Sequence, residues 1–266
     1  MWILVSMTCI FNISYRKSAT PKTGKYLIEK HTILTAPSIQ VLQLTRQQKQ
    51  RVGTIHKLPL QGKDALIVGN PTMPKVAPAI GQPEQQLPSL SGAEEEARAI
   101  ASMLKTQAIT GSIATKPAIL EKMNKARIIH LATHGLFDDV RGLSSAIALA
   151  PSDKDNGLLT AEQILDLKLN AELVVLSACD TGRGKITGDG VVGLSRALIS
   201  AGVPSVIVSL WSVPDAPTAD LMSEFYRNFQ RSPDKAAALR GAMLTTMKQH
   251  PDPRDWAAFT LIGESH

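Results

Sequence analysis

Two short apolar runs, each stopping at a reactive side chain, limit what this chain can fold into more than any other feature. The first reads RIIHLATHG from Arg127 to Gly135, and the second reads ELVVLSACDTG from Glu172 to Gly182. Near-continuous apolar runs of this length mark strands buried on both faces, as in parallel sheets covered by helices. In open α/β sheets, residues just past the carboxyl ends of the strands reach the ligand crevice. His134 and Cys179 stand at those two ends, 45 residues apart, which leaves room for a strand, a helix and a crossover to the neighbouring strand. Side by side, they would form a thiol nucleophile and its imidazole base.

The rest of the chain alternates strand-like and helix-like stretches. Residues 1–13 (MWILVSMTCIFNI) have neither a basic lead nor a small-x-small cleavage site, so they read as a buried edge strand with Cys9 as a core thiol. Tyr26–Leu34 reads as a short strand. Ser38 is the expected cap of a helix ending in the polar tail RQQKQR, and Asp64–Gly69 is a strand ended by Gly-Asn-Pro. Five prolines between Pro71 and Ser91 predict an exposed loop. Ser91 with Glu94 predicts a capping box, ahead of a helical face made by Ala97, Ile100, Ala101 and Leu104. Further strands are expected at Ile109–Ser112, Ala146–Leu149, Leu173–Ser177, Ser205–Leu210 and Ala257–Ile262. Helices are expected at Pro117–Met123, from the Thr160 cap with Gln163, around Val191–Leu198, from Asp215 through Phe229, and around Leu239–Met247. Alternation of this kind predicts right-handed crossovers and a three-layer α/β/α sandwich with a mostly parallel sheet.

Other motifs compete with the His/Cys pair. His130 and His134 would share a metal on a helix, but in a strand, four residues separate side chains by roughly 13 Å, and the segment reads as strand. Gly188-Asp-Gly190-Val-Val-Gly193 fits GxGxxG, yet the preceding strand ends about ten residues too early for a dinucleotide site. TGRGK, with Arg183 and Lys185, lacks the spacing of a phosphate loop. Asp215, at a strand exit after Trp211, reads either as the acid of a pocket for a cationic side chain or as a helix N-cap.

Charge and composition narrow the partners. The net charge is +6, the basic residues are scattered, and aromatic residues make up 4%, so little supports stacking on nucleic acid. The first apolar run is too short to span a bilayer. Two cysteines without a CxxC pair or zinc spacing exclude a disulfide framework and fit a reducing cytoplasm.

Taken together, RIIHLATHG, NGLLTAEQILDLKLNAELVVLSACDTGRG, GLSRALISAGVPSVIVSLWSVPD and DWAAFTLIG resemble the CHAT domain, a bacterial relative of caspases and separase named for its association with tetratricopeptide repeats. The resemblance covers Tyr26–Gly263, so residues 26–266 read as one such domain with a Pro-rich loop at 71–91, and residues 1–25 match poorly. It implies a caspase-haemoglobinase-like fold with a catalytic His134/Cys179 dyad and an oxyanion site at Gly135 and Cys179. It also implies a substrate cleft lined by Ser209, Trp211 and Asp215, with no cofactor and no metal. The activity implied is cysteine endopeptidase action on protein or peptide substrates in a bacterial regulatory or stress/defence system. Relatives usually begin with further strands, so the resemblance further implies an N-terminally shortened copy with an open sheet edge. The alternative is an inactive fragment that serves as an interaction module for tetratricopeptide-repeat or other regulatory proteins. Neither nucleic acid nor a membrane is expected as a partner.

Overall fold

The computed structural model of the chain describes residues 2–4, 25–56, 62–77, 82–137, 142–180, 188–211 and 213–266. Its strands are β1 (Trp2–Leu4), β2 (Ile33–Thr35), β3 (Ala65–Pro71), β4 (Lys75–Val76), β5 (Gln85–Gln86), β6 (Ala108–Gly111), β7 (Ile128–Leu136), β8 (Ala146–Ala148), β9 (Leu158–Thr160), β10 (Leu173–Asp180), β11 (Ser205–Ser209) and β12 (Phe259–Gly263). Its helices are α1 (Leu27–Lys30), α2 (Ile39–Ile55), α3 (Ser91–Met103), α4 (Lys116–Met123), α5 (Ala161–Leu165), α6 (Gly188–Ser200), α7 (Asp215–Arg231), α8 (Lys235–Gln249) and α9 (Pro253–Trp256). Cys9, the loop residues Asp138, Asp139 and Arg141, and Arg183 and Lys185 lie outside the described residues.

The main sheet runs β1-β2-β12-β11-β10-β7-β3-β6, and β8 and β9 extend it beside the end of β7. The β10–β7, β10–β11, β3–β7 and β3–β6 pairs are parallel, whereas β12 runs antiparallel to β11. The expected mostly parallel α/β/α sandwich is therefore present. All nine residues of β7 are buried, which explains why its sequence is mostly apolar, with only His130, Thr133 and His134 interrupting it.

Alternation along the strands divides the core in two. Val68, Leu131, Val174 and Val206 face the layer of α4, α5 and α6. Ile67, Ile128, Val175 and Ile207 face the layer of α3, α7 and α8. In that second layer Phe225, Tyr226 and Trp256 are fully buried, and each apolar side chain of this kind stabilises the fold by about 2–3 kcal/mol. Gly69 matters here, because a Cβ at this position would lie 2.4 Å from both the Ala93 carbonyl oxygen and the Ala97 Cβ. Glycine lets α3 lie directly on β3.

Local signals explain most of the element boundaries. Ser38 Oγ accepts from the Val41 amide, and Thr160 and Gln163 form a reciprocal capping box. Other boundaries differ from expectation. Tyr26–Leu34 splits into α1 and β2, because Glu29 folds back to accept from the Tyr26 amide. Ser91 is the first residue of α3 and not its cap, and Glu94 turns instead to Arg98 and Asn70. Arg98 and then Asn70 hold the Glu94 carboxyl below its ordinary pKa. Residues 71–91 form more than an exposed loop: β4 and β5 pair as a small hairpin, and Met73, Val76 and Leu87 are buried with Leu136 and Ala148.

Candidate functional site

β7 and β10 bring the two reactive residues of the sequence to one level. Their parallel register pairs Leu173 with Ile128 and continues through Cys179 with His134 and Asp180 with Gly135. Both strands run further than their apolar stretches, so His134 and Cys179 lie within the ladder and not just beyond it. The reason is pairing. β3 stops pairing with β7 at Ala132, and β8 takes up the free side, with Gly135 opposite Ile147. Gly135 is thus built into the sheet from both sides. Positions 134 and 179 fall on the face that carries Ile128 and Val175, beneath α3 and α7.

His134 is fully buried, and its Nε2 lies 2.8 Å from the Pro88 carbonyl oxygen. A carbonyl only accepts, so Nε2 carries the proton, and Nδ1 is the basic nitrogen of the neutral ring. The carbonyl itself is held by Asn70, at the end of β3. Asn70 Oδ1 accepts from the Leu90 amide at 2.8 Å and from Ser89 Oγ at 3.1 Å. Asn70 sits at φ 45°, a left-handed conformation that asparagine tolerates better than most residues. Neither Pro88 nor Asn70 was expected in the site; the Gly-Asn-Pro punctuation at 69–71 was the available signal for Asn70.

A buried polar group lies on the same face, closer to the middle of the sheet. Glu96 places Oε1 3.0 Å from His130 Nε2 and accepts from Ser177 Oγ through Oε2 at 3.1 Å. His130 Nδ1 lies 3.3 Å from the Tyr226 hydroxyl. Burial, reinforced by the Glu96 charge, pushes the Tyr226 hydroxyl well above its ordinary pKa of 10.0. His130 precedes His134 on β7 and Ser177 precedes Cys179 on β10, so this group braces the two strands below the level at which those two residues pair.

The remaining expected site residues cluster at the exit of β11. Ser209 is buried at the strand end, opposite Phe259. Trp211 is half-buried rather than exposed, and its Nε1 donates to the Arg254 carbonyl at 2.9 Å. Asp215 is exposed and is the first residue of α7, so the N-cap reading fails: Pro214 holds that position, with no side-chain cap. The Asp215 side chain instead lies against Gly92 of α3, where an added Cβ would sit 2.2 Å from Asp215 Cβ. Asp215 thereby meets the start of the helix that follows Pro88.

The CHAT domain family model matches residues 8–264. Tetratricopeptide repeat protein 28 from Homo sapiens is 29% identical over 98% of this chain, and its Mus musculus counterpart is 29% identical over 91%. The chain spans only 12% and 11% of those proteins. Among solved structures, the Arg-specific cysteine proteinase gingipain R superposes with a TM-score of 0.53 at 14% identity, covering 88% of this chain and 54% of that one. Separase in the Saccharomyces cerevisiae separase–securin complex gives 0.53 at 16% identity, covering 87% of this chain and 14% of that one. At those identities the likeness is one of fold, that of caspase-like cysteine proteases. With the family model spanning nearly its whole length, the chain belongs to the CHAT domain family.

Proposed function

We propose that the chain is a cysteine endopeptidase in which His134 and Cys179 form the catalytic dyad. The observation that carries this reading is the register pairing of Cys179 with His134 at the carboxyl ends of adjacent parallel strands. The tautomer set by Pro88 supports it, because it makes Nδ1 the proton acceptor.

The chemistry follows from these groups. Nδ1 of His134 takes the thiol proton as the Cys179 sulfur attacks the peptide carbonyl carbon. The resulting oxyanion is met by the Gly135 and Cys179 amides. On collapse, the carbon–nitrogen bond breaks and the imidazolium protonates the leaving amine. Water, deprotonated by the same imidazole, then attacks the thioester, and the released thiolate recovers the proton. Ser209, Trp211 and Asp215 line the cleft beside this centre, with the exposed Asp215 carboxylate facing a basic side chain ahead of the cut. Substrates are proteins or peptides, and no cofactor takes part.

The test is covalent labelling by peptidyl acyloxymethyl ketones carrying Arg or Asp at the recognition position. Labelling of Cys179, faster with the Arg probe and lost in His134→Ala, is the expected result. An unreactive Cys179 would overturn the reading.

A second reading rests on the two curated relatives, which are named for tetratricopeptide repeats and of which this chain spans about an eighth or less. In that reading the domain is a non-catalytic interaction module, serving a repeat-containing or other regulatory protein. Stable co-purification with a tetratricopeptide-repeat array, unchanged in Cys179→Ala and accompanied by no cleavage, would favour it.

A further inference from the structure

At the pole of the sheet opposite the dyad, a cleft of about 460 Å³ opens at the amino ends of the central strands. Arg127 enters it just before β7, Glu172 just before β10 and Pro204 just before β11, while Lys49 reaches it from α2 and Lys235 from the first turn of α8. Arg127 and His134 are seven residues apart on one strand, so the cleft lies roughly 23 Å from the dyad. Three of these groups are cationic, and Glu172 is the one acid among them.

Lys235 is the unusual member. It is 4% exposed and lines the cleft, yet its ammonium makes no hydrogen bond or ion pair among the described residues. The nearby carboxylates are engaged elsewhere: Glu172 lies 2.9 Å from Arg127, Glu264 accepts from Thr45 and pairs with Arg46, and Asp234 accepts from the Ala237 amide. Burial, with a smaller part from Lys49, lowers the Lys235 pKa to about 8, although the charges of Glu172, Glu264 and Asp234 act to raise it. A buried ammonium with no acceptor at hydrogen-bond distance is costly, because charges further off offset only part of its lost hydration. Val52, Pro204, Phe229 and Pro233 add apolar lining to the same cleft.

We infer that this cleft is a binding site for a small phosphate-bearing molecule, its phosphate bridging Lys235 and Lys49 beside Arg127 and its organic part resting on Phe229 and the prolines. A phosphate offers several acceptor oxygens to Lys235 and Lys49, donors on separate elements that have no carboxylate at ion-pair distance among the described residues. The volume exceeds what inorganic phosphate alone would fill, and the apolar lining suits a ring or short chain attached to it.

The experiment is calorimetric titration of the full chain with inorganic phosphate and with phenyl phosphate, using sodium chloride of equal ionic strength as the control. The expected result is saturable binding with half-saturation near or below about 1 mM, tighter for phenyl phosphate. Lys235→Met, which keeps the buried stem and removes the charge, is expected to weaken binding about tenfold or more, and the exposed Lys49→Gln several-fold. Absence of saturable binding, or unchanged affinity in Lys235→Met, overturns the site. Should Lys235→Met lose its fold by circular dichroism, Lys49→Gln decides: weakened binding supports the site and unchanged binding overturns it. None of these readouts depends on Cys179.

Discussion

His134 donates its Nε2 proton to the carbonyl of Pro88, a residue 46 positions earlier in the chain, at 2.8 Å. The bond fixes both the ring and its tautomer, and it depends on a segment that belongs to no regular element. Asn70, through Leu90 and Ser89, keeps that segment in place.

Asn70→Ala is expected to slow alkylation of Cys179 by about 10–100-fold, with a stability loss of only about 1–3 kcal/mol. Loss of an anchor to a positioning group acts on rate before it acts on folding. The check is the labelling rate by mass spectrometry beside a urea melt. Equal rates in the two proteins would remove Pro88 from the account.

In the proposed dyad, His134→Ala removes the base that takes the Cys179 proton and is expected to slow labelling at neutral pH about 100-fold or more. The labelling rate against pH would then rise later than in the parent chain. Coincident profiles would mean that the register pairing does not become a dyad.

Glu96→Ala leaves His130 and Ser177 facing a vacated site beneath the dyad, and a loss of about 3 kcal/mol or more is expected. Tyr226→Phe removes one hydroxyl and is expected to cost about 1 kcal/mol. The raised Tyr226 pKa also has a sign. The folded chain keeps a proton that the unfolded chain loses near pH 10, so stability declines above that pH, and Tyr226→Phe softens the decline. Urea melts across alkaline pH measure both effects.

Lys235 behaves in the opposite sense. Its folded pKa is about 8 against an ordinary 10.5, chiefly through burial. The folded chain therefore sheds a proton that the unfolded chain still holds. In phosphate-free buffer, stability is expected to rise by about 3 kcal/mol between pH 8 and 10.5 and to stay level just below pH 8. Lys235→Met should lack the rise.

Gly92→Ala pushes a methyl group into Asp215 and is expected to shift α7 against α3, lowering any preference for basic substrates along with stability. Asp215→Ala should lower the preference alone. Melting temperature and labelling by paired Arg and neutral probes separate the two.

The parallel core was legible because its strands are buried on both faces and their apolar runs could be nothing else. The His134 and Cys179 strands were legible for the same reason, although pairing carried both past the ends of those runs. The contacts that orient His134 were not legible. Pro88 acts through its backbone oxygen, which every residue possesses, and Asn70 acts through the fold that brings position 90 back to it. The N-cap alternative for Asp215 failed because a strand exit followed by a helix looks the same whether the acid caps the helix or turns across to α3. The Ser91–Glu94 pair failed as a capping box for a related reason: Arg98 and Asn70 compete for the carboxylate, and neither belongs to the motif.

The antiparallel strand β12 sits between β11 and β2, and among the described residues β1 and β2 join the sheet through it alone, with Thr35 donating to the Leu261 carbonyl and pairing with Ile262. During synthesis, β1 and β2 therefore wait for a strand made much later, since Thr35 and Leu261 stand 226 residues apart. The segment from β3 to β11 can collapse on its own while β1 and β2 remain without a neighbour in the sheet. Only the arrival of Phe259–Gly263 closes the gap, so a ribosome that stalls in α8 would release a sheet in which β7 and β10 are paired while β1 and β2 have no strand to join.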